Sequence, residues 1–402
     1  MSDNIPVEIQ VEIMKRLPVR SLIQFRTVSK TWKSMIDSSA FVADYSTQMQ
    51  HILIRYADIT DCKATYISVV DDDTFPRSRV SVTPPRVEEH GYYWIIGCSH
   101  GLFCLYQIGR KFLVNGMGKA ALWNPTIRKT VEFVVPNVAN GETYETVLGF
   151  GVCHETNEPT IVKITHIVTW TDMETASCIP WQVEVFTLST GDWRSVGGNI
   201  PCKLVSFQFD PPDGFCSVSI DGVIYWLATN RNTMDGGSCN LIISYDITSE
   251  VFGEVNLPNR LAHSPSRHWL SLFKLRESLV VFDNVCEQDR IAYDVWMMEG
   301  GVSRLFTKVS TFSYNTEDCM TATGFRKSGE HITEIVGGNR GHLVAYEPNS
   351  KNIDILGIVG MFCIFHVHPY IETLSLLDQP TTHNEHETQI KETDDRTMGS
   401  GS

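Results

Sequence analysis

The chain has 402 residues, of which 42% are hydrophobic and 20% charged, and a formal net charge of −14. That apolar content fills a sizeable core and excludes wholesale disorder. The acidic balance argues against a general nucleic-acid binder, whose phosphate contacts need surplus Lys and Arg. The longest apolar stretches, such as 355–365, fall short of the ~20 residues that span a bilayer, so no membrane role is expected. Met1-Ser-Asp-Asn-Ile-Pro lacks both the basic and the apolar region of a signal peptide. The eleven cysteines are scattered without any Cys-x-x-Cys, and no Asn-x-Ser/Thr acceptor occurs. Both features point to a reducing compartment, cytoplasm and/or nucleus.

Composition divides the chain into 1–44, 45–378 and 379–402. The first segment has helical texture. Ile5, Ile9, Ile13 and Leu17 recur every four residues and form a stripe on one helix face. Asn4 is a candidate cap, Pro6 suits the first turn and Pro18 ends the run. A second helix carries Leu22, Phe25 and Val28; a third, capped by Ser29, carries Trp32, Met35 and Ile36. Three short helices make too small a core to stand alone, so something else covers part of their apolar surface. That cover is either the next domain or a partner.

The run Arg16-Leu17-Pro18-Val19, Phe25-Arg26, Val28-Ser29-Lys30 and Trp32 resembles the F-box motif in its plant form, continuously from Ile5 to Phe41. It departs at Ile5 and Met14, where Leu is common, and at Thr27, where Cys is common. The resemblance implies binding of a Skp-type adaptor and, through it, a cullin scaffold of a ubiquitin ligase. Pro6, Ile9, Ile13, Leu17, Pro18, Leu22, Val28 and Trp32 are the expected adaptor-binding residues.

From 45 to 378 the chain reads as β-hairpins. Five share one plan of apolar strand, polar turn and second strand, starting at Ala121, Val185, Ile243, Val295 and Leu343, with spacings of 64, 58, 52 and 48. Between them lie further hairpins, the clearest carrying Asp221-Gly222, a type I′ turn signal. Two hairpins per unit make one four-stranded blade, and a tandem series suggests a β-propeller. Segments 51–70 and 362–377 would close the ring as a shared sixth blade; seven blades, or a β-sandwich, are the alternatives. The expected fold is therefore α+β multidomain: a three-helix N-terminal unit, then an all-β propeller of six blades with little helix.

Trp123-Asn-Pro-Thr, Gly149-Phe-Gly, Ser244-Tyr-Asp and Asp294-Val-Trp-Met-Met resemble the plant F-box-associated interaction domain, which is similar to a kelch-type propeller. Cys153-His154-Glu155 stands where that family usually carries an Asp. The resemblance implies recruitment of the protein to be ubiquitylated, with an unidentified protein substrate.

No cofactor, metal site or catalytic residue is expected. Gly97-Cys-Ser99-His-Gly101 matches a hydrolase nucleophile elbow, which makes a serine hydrolase the rival class. That motif needs a helix after the turn, whereas Leu102-Phe-Cys-Leu-Tyr reads as strand. His366 and His368 share a strand face, but two ligands make no site. The interval 165–181 reads as an extended loop offering Trp170, Met173, Ile179 and Trp181 to a substrate, unless the Trp residues fill a blade interior. Residues 379–402 read as a solvated acidic tail. A propeller scaffold without ligase linkage is the remaining alternative.

Overall fold

A computed structural model describes residues 5–45, 49–85, 92–108, 117–138, 144–167, 180–197, 201, 205–208, 217–230, 238–263, 269–287, 290–299, 305–313, 319–362, 365–377 and 379. The tail expected at 379–402 thus lies outside the described residues, apart from Gln379.

Four short helices lead the chain: α1 Val7–Met14, α2 Val19–Phe25, α3 Lys30–Ile36 and α4 Ser39–Asp44. Prolines set the first two. The Pro6 carbonyl accepts from the Ile9 and Gln10 amides, and the Pro18 carbonyl from those of Ser21 and Leu22. Each proline thus stands just outside its helix, with its fixed φ leading the chain in. Asn4, the expected cap, lies outside the described residues. Ser29 caps α3 as expected, its hydroxyl accepting from the Trp32 amide at 3.1 Å. Helix α4 was not expected, since six residues behind Ser38 carry no readable period.

Among the described residues, twenty-five strands then form six antiparallel sheets. Blade 2 runs Tyr92–Ser99, Leu102–Ile108, Gly118–Asn124, Lys129–Val135. Blade 3 follows with Tyr144–Val152, Pro159–Ile167, Gln182–Thr187, Trp193–Ser195. Blade 4 is built on Val223–Asn230, Cys239–Asp246 and Val251–Val255, with Val205–Phe207 and Val218–Ile220 sharing its inner edge. Blade 5 spans Trp269–Leu275 to Phe306–Ser313, and blade 6 Cys319–Phe325 to Asn352–Met361. Blade 1 joins both ends of the domain. Its inner strand, His366–Ile371, pairs with Gln50–Ala57, followed by Ala64–Val70 and Arg79–Ser81. The shared closing blade is therefore present, and the blade count is six.

All five hairpins of the common plan are the outer pairs of blades 2 to 6. The Asp221-Gly222 turn has both residues at positive φ, 48° and 74°. Beyond the α1–α4 lead, the described residues hold one helix, α5 Asn259–Ala262.

The core sits between blades because strands alternate their side chains. Ile52 and Ile54 pack with Ile332, Leu343 and Val367 between blades 6 and 1. Leu53, between them, faces the other way with Tyr66, Phe103 and Trp123, between blades 1 and 2. Equivalent clusters join blades 2–3, 3–4, 4–5 and 5–6, closing the ring. Gly149 shows how close blades come: a Cβ there would collide with the Trp226 ring, whose Nε1 donates to the Leu148 carbonyl at 3.1 Å.

Candidate adaptor-binding surface and its seat on the propeller

The helices have two apolar faces. Met14, Val19, Leu22, Ile36, Phe41 and Tyr45 turn inward and pack with Leu374 and Leu377, while Ile127 borders them. Ile9 and Ile13 turn outward, 51% and 49% exposed, flanked by Ile5, Val7 and Val28. Pro6 and Pro18 are exposed beside them. The outward face is a hydrophobic patch left open by the described residues, of the kind that marks an interaction site.

Not every expected contact residue lies on that face. Leu22 is completely buried in the helical core. It holds the unit together and presents no surface, because α2 turns Val19 and Leu22 toward the propeller. Leu17 is half-buried, and its carbonyl accepts from the Tyr45 hydroxyl at 2.7 Å. Trp32 is also half-buried: its ring packs on Phe25, and its Nε1 donates to Gln10 Oε1 at 2.9 Å, tying α3 to α1. The Arg26 guanidinium grips Asp37 with two hydrogen bonds, of 2.5 and 2.9 Å.

The seat is built from the segment after the innermost strand, 372–377. Asn124, wholly buried, donates from its Nδ2 to the carbonyls of Thr373 and Ser375 at 3.0 and 2.9 Å. Its Oδ1 accepts from the Thr126 and Ile127 amides, so one side chain shapes a blade 2 turn and clamps the seat. Lys129 Nζ donates to the Leu377 carbonyl at 2.8 Å. Glu372 Oε2 accepts from the Val19 amide at 3.4 Å, and its other oxygen lies 3.6 Å from His51 Nε2. Burial, opposed by Glu372, holds His51 below its ordinary pKa, so the ring is neutral near pH 7. Burial, reinforced by Glu372, pushes the Tyr45 phenol up and keeps it a donor.

The proposed loop contacts fare differently. Trp170, Met173 and Ile179 lie outside the described residues. Trp181 is only 4% exposed, its ring packed among His166, Phe207 and Phe252 between blades 3 and 4. As an exposed anchor it is therefore corrected to core: it stands one residue before its strand, within reach of the next blade.

The elbow-like Ser99 also resolves. Gly97–Gly101 ends one strand and turns directly into the next, with His100 and Gly101 at φ 49° and 76°. Only a residue without Cβ takes the second position cheaply. No helix follows to expose Ser99 Oγ, which sits 3.1 Å from Nδ1 of its own neighbour, His100. His366 and His368 lie on the innermost strand of blade 1, held below their ordinary pKa by burial and then by Arg55. Among the described residues, no three metal-capable side chains come together. No described helix is long and apolar enough to cross a membrane.

Sequence reasoning missed Asn124, Glu372, Leu374 and Leu377. Asn124 was visible in Trp123-Asn-Pro-Thr, but its partners lie some 250 positions away and leave no local signal.

Residues 87–369 match the F-box associated beta propeller domain, and residues 2–43 match the F-box domain. The chain is similar to the F-box protein At1g52495 of Arabidopsis thaliana, 26% identical over 81% of this chain and 73% of that one. It is likewise 26% identical to the F-box/kelch-repeat protein At3g23880 of the same plant, over 74% and 76% of the two chains. Among solved structures, TolB from Acinetobacter baumannii overlaps 80% of this chain and 66% of its own with a TM-score of 0.43 at 9% identity.

Proposed function

We propose a function on one premise: the chain belongs to the F-box proteins that carry an F-box associated beta propeller domain. It acts as a substrate receptor of a Skp–cullin–F-box ubiquitin ligase, in cytoplasm or nucleus. Residues 1–44 bind the adaptor and residues 45–378 hold a target protein. The observation that carries this reading is the double-faced helical unit. One apolar face is seated on the propeller, and the other, around Ile9, Ile13 and Val28, is left for a partner.

Such a receptor needs no catalytic side chain. It accelerates transfer by holding the target near a charged ubiquitin carrier, an effective-concentration effect. The geometry favours recognition at the far end of the ring. Turns joining strands one to two and three to four of each blade emerge at the end that bears the helices, as Ile127 and 372–377 show. The second strands of blades 2, 3 and 4 run to the opposite end, where they finish at Ile108, Ile167 and Asn230.

Replacing both Ile9 and Ile13 by Asp should abolish copurification of a Skp-type adaptor and change the melting temperature little, because both side chains are about half exposed and outside the helical core. Ala at Leu17 and Pro18 together should act in the same direction. Undiminished adaptor recovery with the Asp pair would sink the assignment. A scaffold without ligase linkage would instead show no cullin in complexes pulled down with the intact chain.

A further inference from the structure

At the helix-bearing end, where inner-hairpin turns converge on the propeller axis, lies a cavity of about 270 Å³. Five of the six blades line it. Four cations line it from the inner turns of neighbouring blades 5 and 6, Lys274, Arg276, Arg326 and Lys327, together with two carboxylates, Asp221 and Glu277. Arg326 is paired with Asp71 and Glu330, and Lys274 with Glu277, so among the described residues Arg276 and Lys327 are the cations of the lining left outside an ion pair.

The cations are positioned by specific bonds. Arg326 is a fixed post: it pairs with Asp71 at 2.9 Å and with Glu330, and lies over the Phe75 ring. Asp71 also accepts from the Lys327 amide at 2.7 Å, which anchors the base of that residue at the rim. Arg276 Nε donates to the Lys327 carbonyl at 3.2 Å, which ties the inner turns of blades 5 and 6 together and leaves the terminal guanidinium nitrogens for a ligand. Lys274 balances Glu277 at 2.9 Å. Hydroxyl donors come from Ser99 and Ser219, both buried. Burial pushes the Cys98 thiol up to about 12, so this lining residue brings no thiolate to repel an anion.

We propose that this axial cavity binds a phosphate monoester. Cations on the inner turns of neighbouring blades 5 and 6, with hydroxyls from blades 2 and 4, suit one compact dianion with several acceptor oxygens. A nucleic-acid backbone would instead need a stripe of cations. The group could be carried by a free metabolite or by a phosphorylated side chain; the chemistry that recognises it is the same. This inference does not rest on ligase membership.

The test is calorimetric titration of the full chain with inorganic phosphate, O-phosphoserine, a short phosphoserine peptide and serine. Saturable binding of the phosphorylated ligands and none of serine is expected. Affinity should weaken at least tenfold in Arg276→Ala/Lys327→Ala and be retained in Lys327→Arg. A peptide tenfold tighter than O-phosphoserine identifies a protein side chain as the source; equal affinity identifies a free monoester. If the double variant does not fold, Lys274→Gln serves, with the same tenfold loss expected. Unchanged affinity in a folded variant means an adventitious ion only and overturns the proposal, as does the absence of saturable binding.

Discussion

Asn124 and Asp246 stand at the same place in blades 2 and 4, at the end of the third strand. Each accepts two amides of the following turn: Thr126 and Ile127 for the first, Thr248 and Ser249 for the second. An Asp would serve that task equally at both positions. Only the amide can also donate to Thr373 and Ser375, which explains Asn in Trp123-Asn-Pro-Thr. Asn124→Asp should therefore keep the turn and lose the clamp, placing a buried carboxylate against two carbonyl oxygens. The expected cost is about 2–4 kcal/mol, read by denaturant unfolding. A variant as stable as the parent would show the clamp to be idle. Gly149→Ala should cost about 1–3 kcal/mol, since a well-packed Trp226 must move to admit the methyl group.

At the level of elements, the segment 372–377 decides how the helices sit. Leu374 is fully buried and belongs to the helical core, though it follows a propeller strand. Leu374→Ala should cost about 2–5 kcal/mol and release the helices before the ring. Hydrogen exchange in 7–44 should quicken while blades 3 to 5 stay protected. Uniform quickening would mean that helices and ring unfold as one unit. Deleting 168–180, which follows the strand ending at Ile167, tests substrate recognition only if Trp181 remains, because that ring packs between blades 3 and 4. With Trp181 kept, the shortened protein should stay folded, retain its adaptor and lose non-adaptor partners in co-precipitation. Survival of every partner would remove the loop from the recognition surface.

The whole molecule carries an acid liability. Burial holds His166, His331 and His368 at a pKa of about 4, with His366 well below its ordinary value. Unfolding returns each ring to about 6.5. Between those values the unfolded chain binds more protons, so stability rises with pH, is complete above about 6.5 and is lost as pH falls toward 4. Each histidine removes about 1.4 kcal/mol per pH unit in that window, against a typical total of about 5–15 kcal/mol. The melting temperature should fall steeply below pH 6, and His331→Gln should flatten the slope by one proton. A flat profile from pH 7 to 5 would refute this. Closure is the other global property. Removing residues 366–402 takes the inner strand from blade 1 and half its contacts with blades 6 and 2, so no cooperative unfolding transition should remain.

The helices and blades were legible because their signals are local: prolines before α1 and α2, Ser29 before α3, and the strand–turn–strand plan of five outer hairpins. Even the closing blade could be read, because leftover strands at both ends had only each other. The sequence also placed Ile9 and Ile13 on one stripe. It could not say that the stripe faces outward, since Leu22, equally apolar, turns inward to meet Leu374. Trp181 shows the same limit: a Trp beside a loop is core or anchor according to what the next blade brings against it. The axial cavity assembles residues from 50 to 371, a few from each of five blades. Periodicity determines which elements form, because it depends on neighbours along the chain. Which face of each is covered depends on residues hundreds of positions away, and only the tertiary structure decides that.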